Sequence, residues 1–405
     1  MSSSLSSHED ERRAEEFFNL VQEFDQIVQD IGDPDEQPRR RRRRVAKKAY
    51  IRRDREAGAL RLHADYFDEN PVYPDNIFRR RFWMRRALFL RIVNAVASDP
   101  YFQQRTDALG RPDFTPLQKC TVDVRMLANG GAADQYDEYL RIAESTSLEC
   151  LRRFSRAIIQ LFGAKYLRMP TSADCQRLLA MHEAKHSFPG MLGSLDCMHW
   201  PWKNCPTAWQ GAYTRGDQGE PTIILEAVAS QDLWIWHAFF GTHGSNNDIN
   251  VLNNSTLFND QLQGMRVPVT YQVDNAYYTS GYYLTDGIYP NWLVFVKSPT
   301  HPTDPKGKRF KVMQEAPRKD IERAFGVLQA RWAIVKGPSR LWSKEAMSDI
   351  MFTCIILHNM IIEDEGEHAT QWEEDADEAS SSAASQPRAG APPNFRAFVA
   401  QQASM

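Results

Sequence analysis

The spacing of apolar positions changes near residue 190, and the change divides the chain into a helical part and a strand-rich part. Between 77 and 187 apolar residues recur every three to four positions, the period of a helix with one buried face. The stretch "IFRRRFWMRRALFLRIVNAVASD" sets an apolar face beside a basic one and reads as one helix. Thr115 before Pro116 has the form of an N-cap with proline at the first helical position, and Gly130 stands where that helix stops. A short helix through "ADQYDEYLRI" comes next. "TSLE" at 146–149 then has capping-box form and opens a helix through "CLRRFSRAIIQLF". Near the start, Phe17, Leu20, Val21, Phe24 and Val28 mark an amphipathic helix over 11–30. From 191 the runs shorten and fill with β-branched and aromatic residues: "MLGSLDCMHW", "PTIILEAVAS" and "LWIWHAFFG". "INVLNNSTLF" is helix-like, "VTYQV" and "NWLVFVK" read as further strands, and helices over 317–335 and 343–363 close the pattern. The expectation is an α/β protein. A mixed-sheet domain over 190–364 succeeds a helical region over 77–187, with a flexible region at 1–58 and a low-complexity tail at 365–405.

Composition changes this picture little, charge distribution more. A chain of 405 residues, 42% hydrophobic, has room for two or three domains. Its net charge of −3 is uninformative, but residues 39–55, "RRRRRRVAKKAYIRRDR", concentrate positive charge. Clustered Arg and Lys release counterions from nucleic-acid phosphates or serve nuclear import. Arg39, Arg40, Arg41, Arg42, Arg43, Arg44, Lys47 and Lys48 are therefore candidate DNA-binding residues, against the plainer reading of a solvated arm. The short helices before 187 are compatible with a helix-turn-helix unit, in which Arg152 and Arg153 would meet DNA. An ordinary helical bundle is the alternative. The acidic "EDEGEHATQWEEDADE" and the Ser/Ala/Pro-rich stretch after it are too poor in apolar residues to fold alone. Six scattered cysteines without a CxxC pair suggest reduced thiols inside a cell. No run approaches the about 18 apolar residues of a membrane span, and the N-terminus lacks a signal-peptide core. No membrane role is expected.

The candidate chemistry centres on "MLGSLDCMHWPW". A carboxylate in a core strand costs several kcal/mol unless it is paired or holds a metal. Asp196 is such a group. Asp286 ends "GYYLTD", and Glu322 lies at the edge of the apolar face made by Ile321, Phe325, Leu328 and Trp332. Three carboxylates gathered at one end of a sheet resist joint ionisation, and hard divalent cations such as Mg²⁺ or Mn²⁺ reverse that. By itself this triple is weak, because 52 acidic residues always supply some triple, and Asp274 in "VTYQVD" looks much like Asp286. Cys197, His199 and Cys205 raise the question of zinc, but their spacing is not a structural-zinc spacing. A core thiol and a hydrogen-bonded histidine are the better reading. His237 reads as a satisfied half-buried histidine, and His358 with Asn359 as packing and capping residues. No Gly-rich phosphate loop appears, and nothing points specifically to a Ser-His-Asp triad.

Longer blocks decide what spacing leaves open. "GSLDCMHWPWKNCPTAWQGAY", "TIILEAVASQDLWIWHAFFGTHGSNNDINVLNNSTLF", "GYYLTDGIYPNWLVFVKS" and "RKDIERAFGVLQARWAIVKGPSRLW…IMFTCIILHNMIIEDE" resemble the PIF/Harbinger superfamily of DDE transposases, and within it the plant-type transposon proteins. The same superfamily includes Harbinger-derived host nucleases. The resemblance runs from about 77 through 365. It places the family's acids on Asp196, Asp286 and Glu322 as catalytic residues and metal ligands. It implies an RNase H-like core with two Mg²⁺ (or Mn²⁺) ions, a preceding helix-turn-helix-like region, and cut-and-paste action on transposon ends in the nucleus. DNA, as terminal repeats and target site, a Myb/SANT-like partner protein, and homo-oligomerisation on DNA are implied in the same way. A domesticated, non-catalytic DNA- or chromatin-binding protein is the alternative, which loss of a triad residue would favour. Asp248 in "GSNNDINVL" falls in another family block, where a positioning role competes with the preferred reading, an N-cap. The chain departs from the family at Thr242-His243, in "DPKGKRFKVMQEAP", taken as a variable loop, and after 365.

Overall fold

The computed structural model describes residues 51, 53–106, 108, 110–216, 218–258, 269–273, 275–299 and 301–366. The arginine run with Lys47 and Lys48, the expected helix over 11–30, Asp274 and the tail beyond 366 lie outside the described residues. Residues 1–364 and 365–405 form separate units, and the helices and strands of the described residues belong to the first, the last helix ending at the boundary.

The helical part opens with α1 (Arg55–Tyr66), capped by the Asp54 side chain, which accepts from the Ala57 amide. The helix expected over 77–99 is two, α2 (Asp75–Phe82) and α3 (Arg86–Val96), broken at Trp83, whose φ is +56°. The break lets the Phe82 and Phe89 rings meet at 5.0 Å. On one straight helix they would sit about 10 Å apart along the axis. In α4 (Pro116–Asn129) the expected ends are found: a Thr115/Gln118 capping box and a left-handed Gly130 at φ +60°. A Cβ on Gly130 would also lie 2.9 Å from the Ala333 backbone, so a close packing contact requires glycine there too. Helix α5 (Glu144–Tyr166) starts before the expected "TSLE" box, with Ala143 at the cap. Its buried stripe already includes Ser147, whose amide needs the Ala143 carbonyl at 2.9 Å, so the helix begins a turn early. A Thr171/Asp174 capping box opens α6 (Ser172–His186).

The strand part is a five-stranded sheet of β1 (Met191–Pro201), β2 (Thr222–Ala229), β3 (Ile235–His243), β6 (Tyr282–Thr285) and β7 (Phe295–Lys297). Its order is β3-β2-β1-β6-β7. The hairpin strands pair antiparallel, whereas β1–β6 and β6–β7 are parallel. Parallel neighbours need crossovers. The chain between β3 and β6 holds α7 (Asp248–Asn254) and a separate ribbon of β4 (Tyr271–Val273) and β5 (Ala276–Tyr278). After β7 come α8 (Pro305–Arg318), α9 (Asp320–Arg331) and α10 (Lys344–Glu365).

Helix α8 corrects the reading of "DPKGKRFKVMQEAP" as a loop. Asp304 caps it through the Gly307 amide at 2.7 Å, and Pro305 takes the first position. The buried Gln314 amide donates to the carbonyls of Thr285 and Val296, both at 3.2 Å, which ties the helix to β6 and β7. Helix α10 is long and apolar enough to span a bilayer, yet 78% of its apolar window is buried, as in a core helix. His358 and Asn359 are buried within it as packing residues, and Asn359 caps the end of α5 rather than α10. Asn359 brackets β3, accepting from the Ile235 amide at 3.0 Å and donating to the Ile235 and Tyr166 carbonyls, both at 2.7 Å. Burial and the neighbouring Arg331 push the His358 imidazole down to about 3, so it stays neutral.

Candidate active site

Strand register brings the first two candidate acids together. In the parallel pair, Ser194 of β1 lies opposite Leu284 of β6. Two residues further along each chain come Asp196, still in β1, and Asp286, just past the end of β6 and near enough to raise the Asp196 carboxyl. Because side chains alternate along β1, Asp196 shares the sheet face of Ser194. That face carries α8 and α9: the Ser194 hydroxyl donates to the Pro317 carbonyl at 2.6 Å, and Gln329 reaches the Met198 sulfur at 3.2 Å. Glu322 is in the first turn of α9, a helix packed on the β1 face that carries Asp196. Ile321, Phe325, Leu328 and Trp332 are buried as expected, leaving Glu322 at the exposed edge.

The electrostatics stem from this placement. Burial pushes the Asp196 carboxyl up to about 6, and the neighbouring acids Asp248 and Asp286 push the same way. The Cys197 amide, donating to Asp196 at 2.8 Å, and the Arg318 guanidinium pull the other way. Asp286 accepts from the Ile288 amide at 3.0 Å, which ties its carboxylate to the turn after β6. Glu322 is held by Arg318 at 3.3 Å. Among the described residues, no three His, Cys, Asp or Glu side chains converge into a ready-made metal centre. The structure thus puts Asp196 beside Asp286 and leaves Glu322 on an arginine.

Asp248 is the residue that the sequence ranked too low. The cap of α7 is Asn247, which accepts from the Asn250 amide at 2.9 Å, so the N-cap reading of Asp248 is wrong. The Asp248 carboxyl shares a hydrogen bond with the Cys197 thiol, and burial together with Asp286 raises it above the usual carboxylate range. The doublet Asn247-Asp248 held the signal, since only one of the two can cap. Beneath the acids lies a buried layer in which Cys197 meets the Tyr289 hydroxyl at 3.6 Å and His237 meets Glu226 and Ser255, each at 3.2 Å. His199 bonds Thr222 at 2.8 Å. Cys197 and His199 are therefore packing residues, as expected, and His237 is a satisfied one. Arg152 and Arg153, on α5, are partly exposed and both bind Glu149, at 2.9 and 2.6 Å. They lie in the helical part, away in sequence and fold from the acids.

The family model for plant transposon proteins matches residues 164–369, which include β1, β6 and α9. A second model, a domain of unknown function, matches residues 58–97. Among curated proteins the chain is 24% identical to "Protein ALP1-like" of Arabidopsis thaliana, over 71% of this chain and 70% of that protein. It is 22% identical to "Putative nuclease HARBI1" of Homo sapiens, over 62% of this chain and 68% of that protein, with the same figures for its Bos taurus counterpart. No solved structure matches significantly.

Proposed function

The chain belongs to the plant transposon protein family, as a Harbinger-type, transposase-derived protein, and from that premise we propose that it is a divalent-metal-dependent DNA nuclease of the DDE type. In this reading it cuts phosphodiester bonds at transposon ends and joins them to target DNA. The observation that supports the proposal is that Asp286, just past β6, lies near enough to raise the Asp196 carboxyl on β1, with Glu322 on a helix packed on the Asp196 face. The strand order β3-β2-β1-β6-β7, with only β2 antiparallel to the others, supports an RNase H-like core.

The donor set is all oxygen, which fits Mg²⁺ or Mn²⁺. Asp196 and Asp286 would hold the ion, and Glu322 would join them on leaving Arg318. The bound cation supplies charge for the phosphodiester oxygens and acidifies the attacking water. Asp196, whose carboxyl burial raises to about 6, would serve as a ligand in its ionised form. Asp248 adds negative charge next to the pair and, through Cys197, fixes the backbone that carries Asp196. Arg318 is placed to meet a DNA phosphate once Glu322 releases it.

The test is excision in vitro of the flanking genomic repeats with Mg²⁺ and a candidate Myb/SANT-like partner. Strand cleavage that Asp196→Ala abolishes supports the reading. A second reading, a domesticated non-catalytic DNA-binding protein, draws on the absence of three converging ligands among the described residues. DNA binding without cleavage, with or without partner, would establish it. Nuclear action, the arginine arm as a phosphate contact and assembly on DNA belong to the same proposal.

A further inference from the structure

An apolar groove of about 320 Å³ lies beside α8, at the strand ends opposite the carboxylates. Phe188, Tyr271, Tyr282, Val296, Phe310 and Met313 line it. Its walls are rings: Tyr271 stacks on Tyr278 at 5.4 Å, meets Tyr282 at 6.3 Å, and Phe188 lies 6.0 Å from Phe310. Gly190 makes room for one of them, since a Cβ there would sit 2.2 Å from the Tyr271 ring.

The helix that supplies Phe310 and Met313 also carries Lys306, Lys308, Arg309 and Lys311, against the single acid Glu315. Of these cations Lys306 and Arg309 share the side of the helix that presents Phe310 and Met313. Rings beside positive charge fit a strand with an exposed base: any base has a face to stack, and its phosphates need positive charge. An apolar peptide has no use for these cations, and an acidic peptide has little use for stacked rings. The groove is also tied to the site. Gln314, one turn beyond Phe310, holds the Thr285 carbonyl next to Asp286. From Phe310 to Arg318 the helix rises about 12 Å, or three to four nucleotides at the about 3.4 Å spacing of a duplex strand.

We propose that this groove is a subsite for an unpaired nucleobase, stacked on Tyr271, Tyr282 and Phe310, with the adjoining phosphates held by Lys306 and Arg309. It rests on reading the carboxylate pair as a DNA-cutting centre, and it adds where the strand runs beyond that centre.

The test uses the full chain, without divalent metal, and a mixed-sequence duplex that is either blunt or carries a short overhang containing 2-aminopurine. The overhang duplex binds about tenfold more tightly, the scale of stacking one base, and its fluorescence is quenched. Phe310→Ala, at a partly exposed position, removes that advantage and leaves blunt-duplex affinity unchanged; Phe310→Trp restores it. Lys306→Glu combined with Arg309→Glu weakens both duplexes and lowers the salt slope by about two. Equal wild-type affinity for the two duplexes, or an advantage that survives Phe310→Ala, overturns the subsite alone. Failure to bind either duplex overturns the nuclease reading along with it. If Phe310→Ala changes only self-association on sizing, the groove is a protein-docking face and the proposal falls.

Discussion

Asp123 and Asp196 are both driven above the usual carboxylate range by burial, but in opposite circumstances. Asp123, in α4, is fully enclosed, and Lys119 is the one charge that eases it. Neither of its oxygens has a hydrogen-bond partner among the described residues. Asp196 is half-buried at a strand end, and the charges around it include two more acids, Asp248 and Asp286. An acid sealed alone in a helical core keeps its proton and costs stability. An acid crowded by other acids beside an open edge concentrates negative charge where a cation can reach it. The contrast separates a structural liability from a site, although burial raises both groups.

The largest effect that would break this contrast is on catalysis. Asp196→Asn and Asp286→Asn should each lower Mg²⁺-dependent cleavage by about a thousandfold, the scale of losing one transition-state stabiliser, with the fold kept. Asp123→Asn should leave cleavage unchanged. Gel assays on the three variants decide it: equal losses in all three would mean that the contrast has no functional content.

The next effect is on metal affinity and its pH dependence. A ligand whose carboxyl titrates at about 6 competes with protons below that pH. Mn²⁺ affinity, measured by calorimetry, should fall about tenfold per unit as pH drops below 6 and level off above 7. Asp196→Asn should lose both the affinity and its slope. A flat profile for the wild type would show that Asp196 is not the proton-linked ligand.

What was legible in the sequence tracks how local each determinant is. The ends of α4 were readable because Thr115, Pro116 and Gly130 act within a turn of themselves. Strands β1 to β3 were readable because buried strands must be apolar. Helix α8 was missed although Asp304-Pro305 is a sound start signal. Its outward residues are mostly basic and exposed apolar, and its decisive anchor, Gln314 to two carbonyls of the sheet, is tertiary. The Trp83 break, likewise, comes from ring packing between helices and not from a breaker residue. At the candidate site, resemblance numbered Asp196, Asp286 and Glu322, whereas spacing alone left Asp274 as a rival. Only strand register pairs Asp196 with Asp286, and only the Asn247 cap frees Asp248 for another role.

A smaller effect sharpens the other half of the contrast. Because the folded form of Asp123 holds its proton well above the ordinary range, the unfolded chain releases that proton first as pH rises. Stability is therefore unaffected below about pH 4 and declines as pH climbs toward the folded value. Asp123→Asn removes that decline and should raise stability at pH 7 relative to the wild type, with no gain at pH 3. Urea denaturation at the two pH values checks it. A loss of stability at pH 7 would mean that the carboxylate has a partner worth keeping.

The smallest effect concerns Arg318, the one cation acting on Asp196 and also the partner of Glu322. With Glu322 46% exposed, the ion pair is worth about 0–1 kcal/mol. Arg318→Gln should therefore change stability little. It should tighten Mn²⁺ binding by no more than about fivefold, because the metal no longer displaces a resident charge. The direction matters more than the size. A tighter site means that Arg318 competes with the metal for Glu322, whereas a weaker one means that Arg318 holds Glu322 in reach of the aspartates, and the carboxylate pair would then depend on the arginine it was thought to lose.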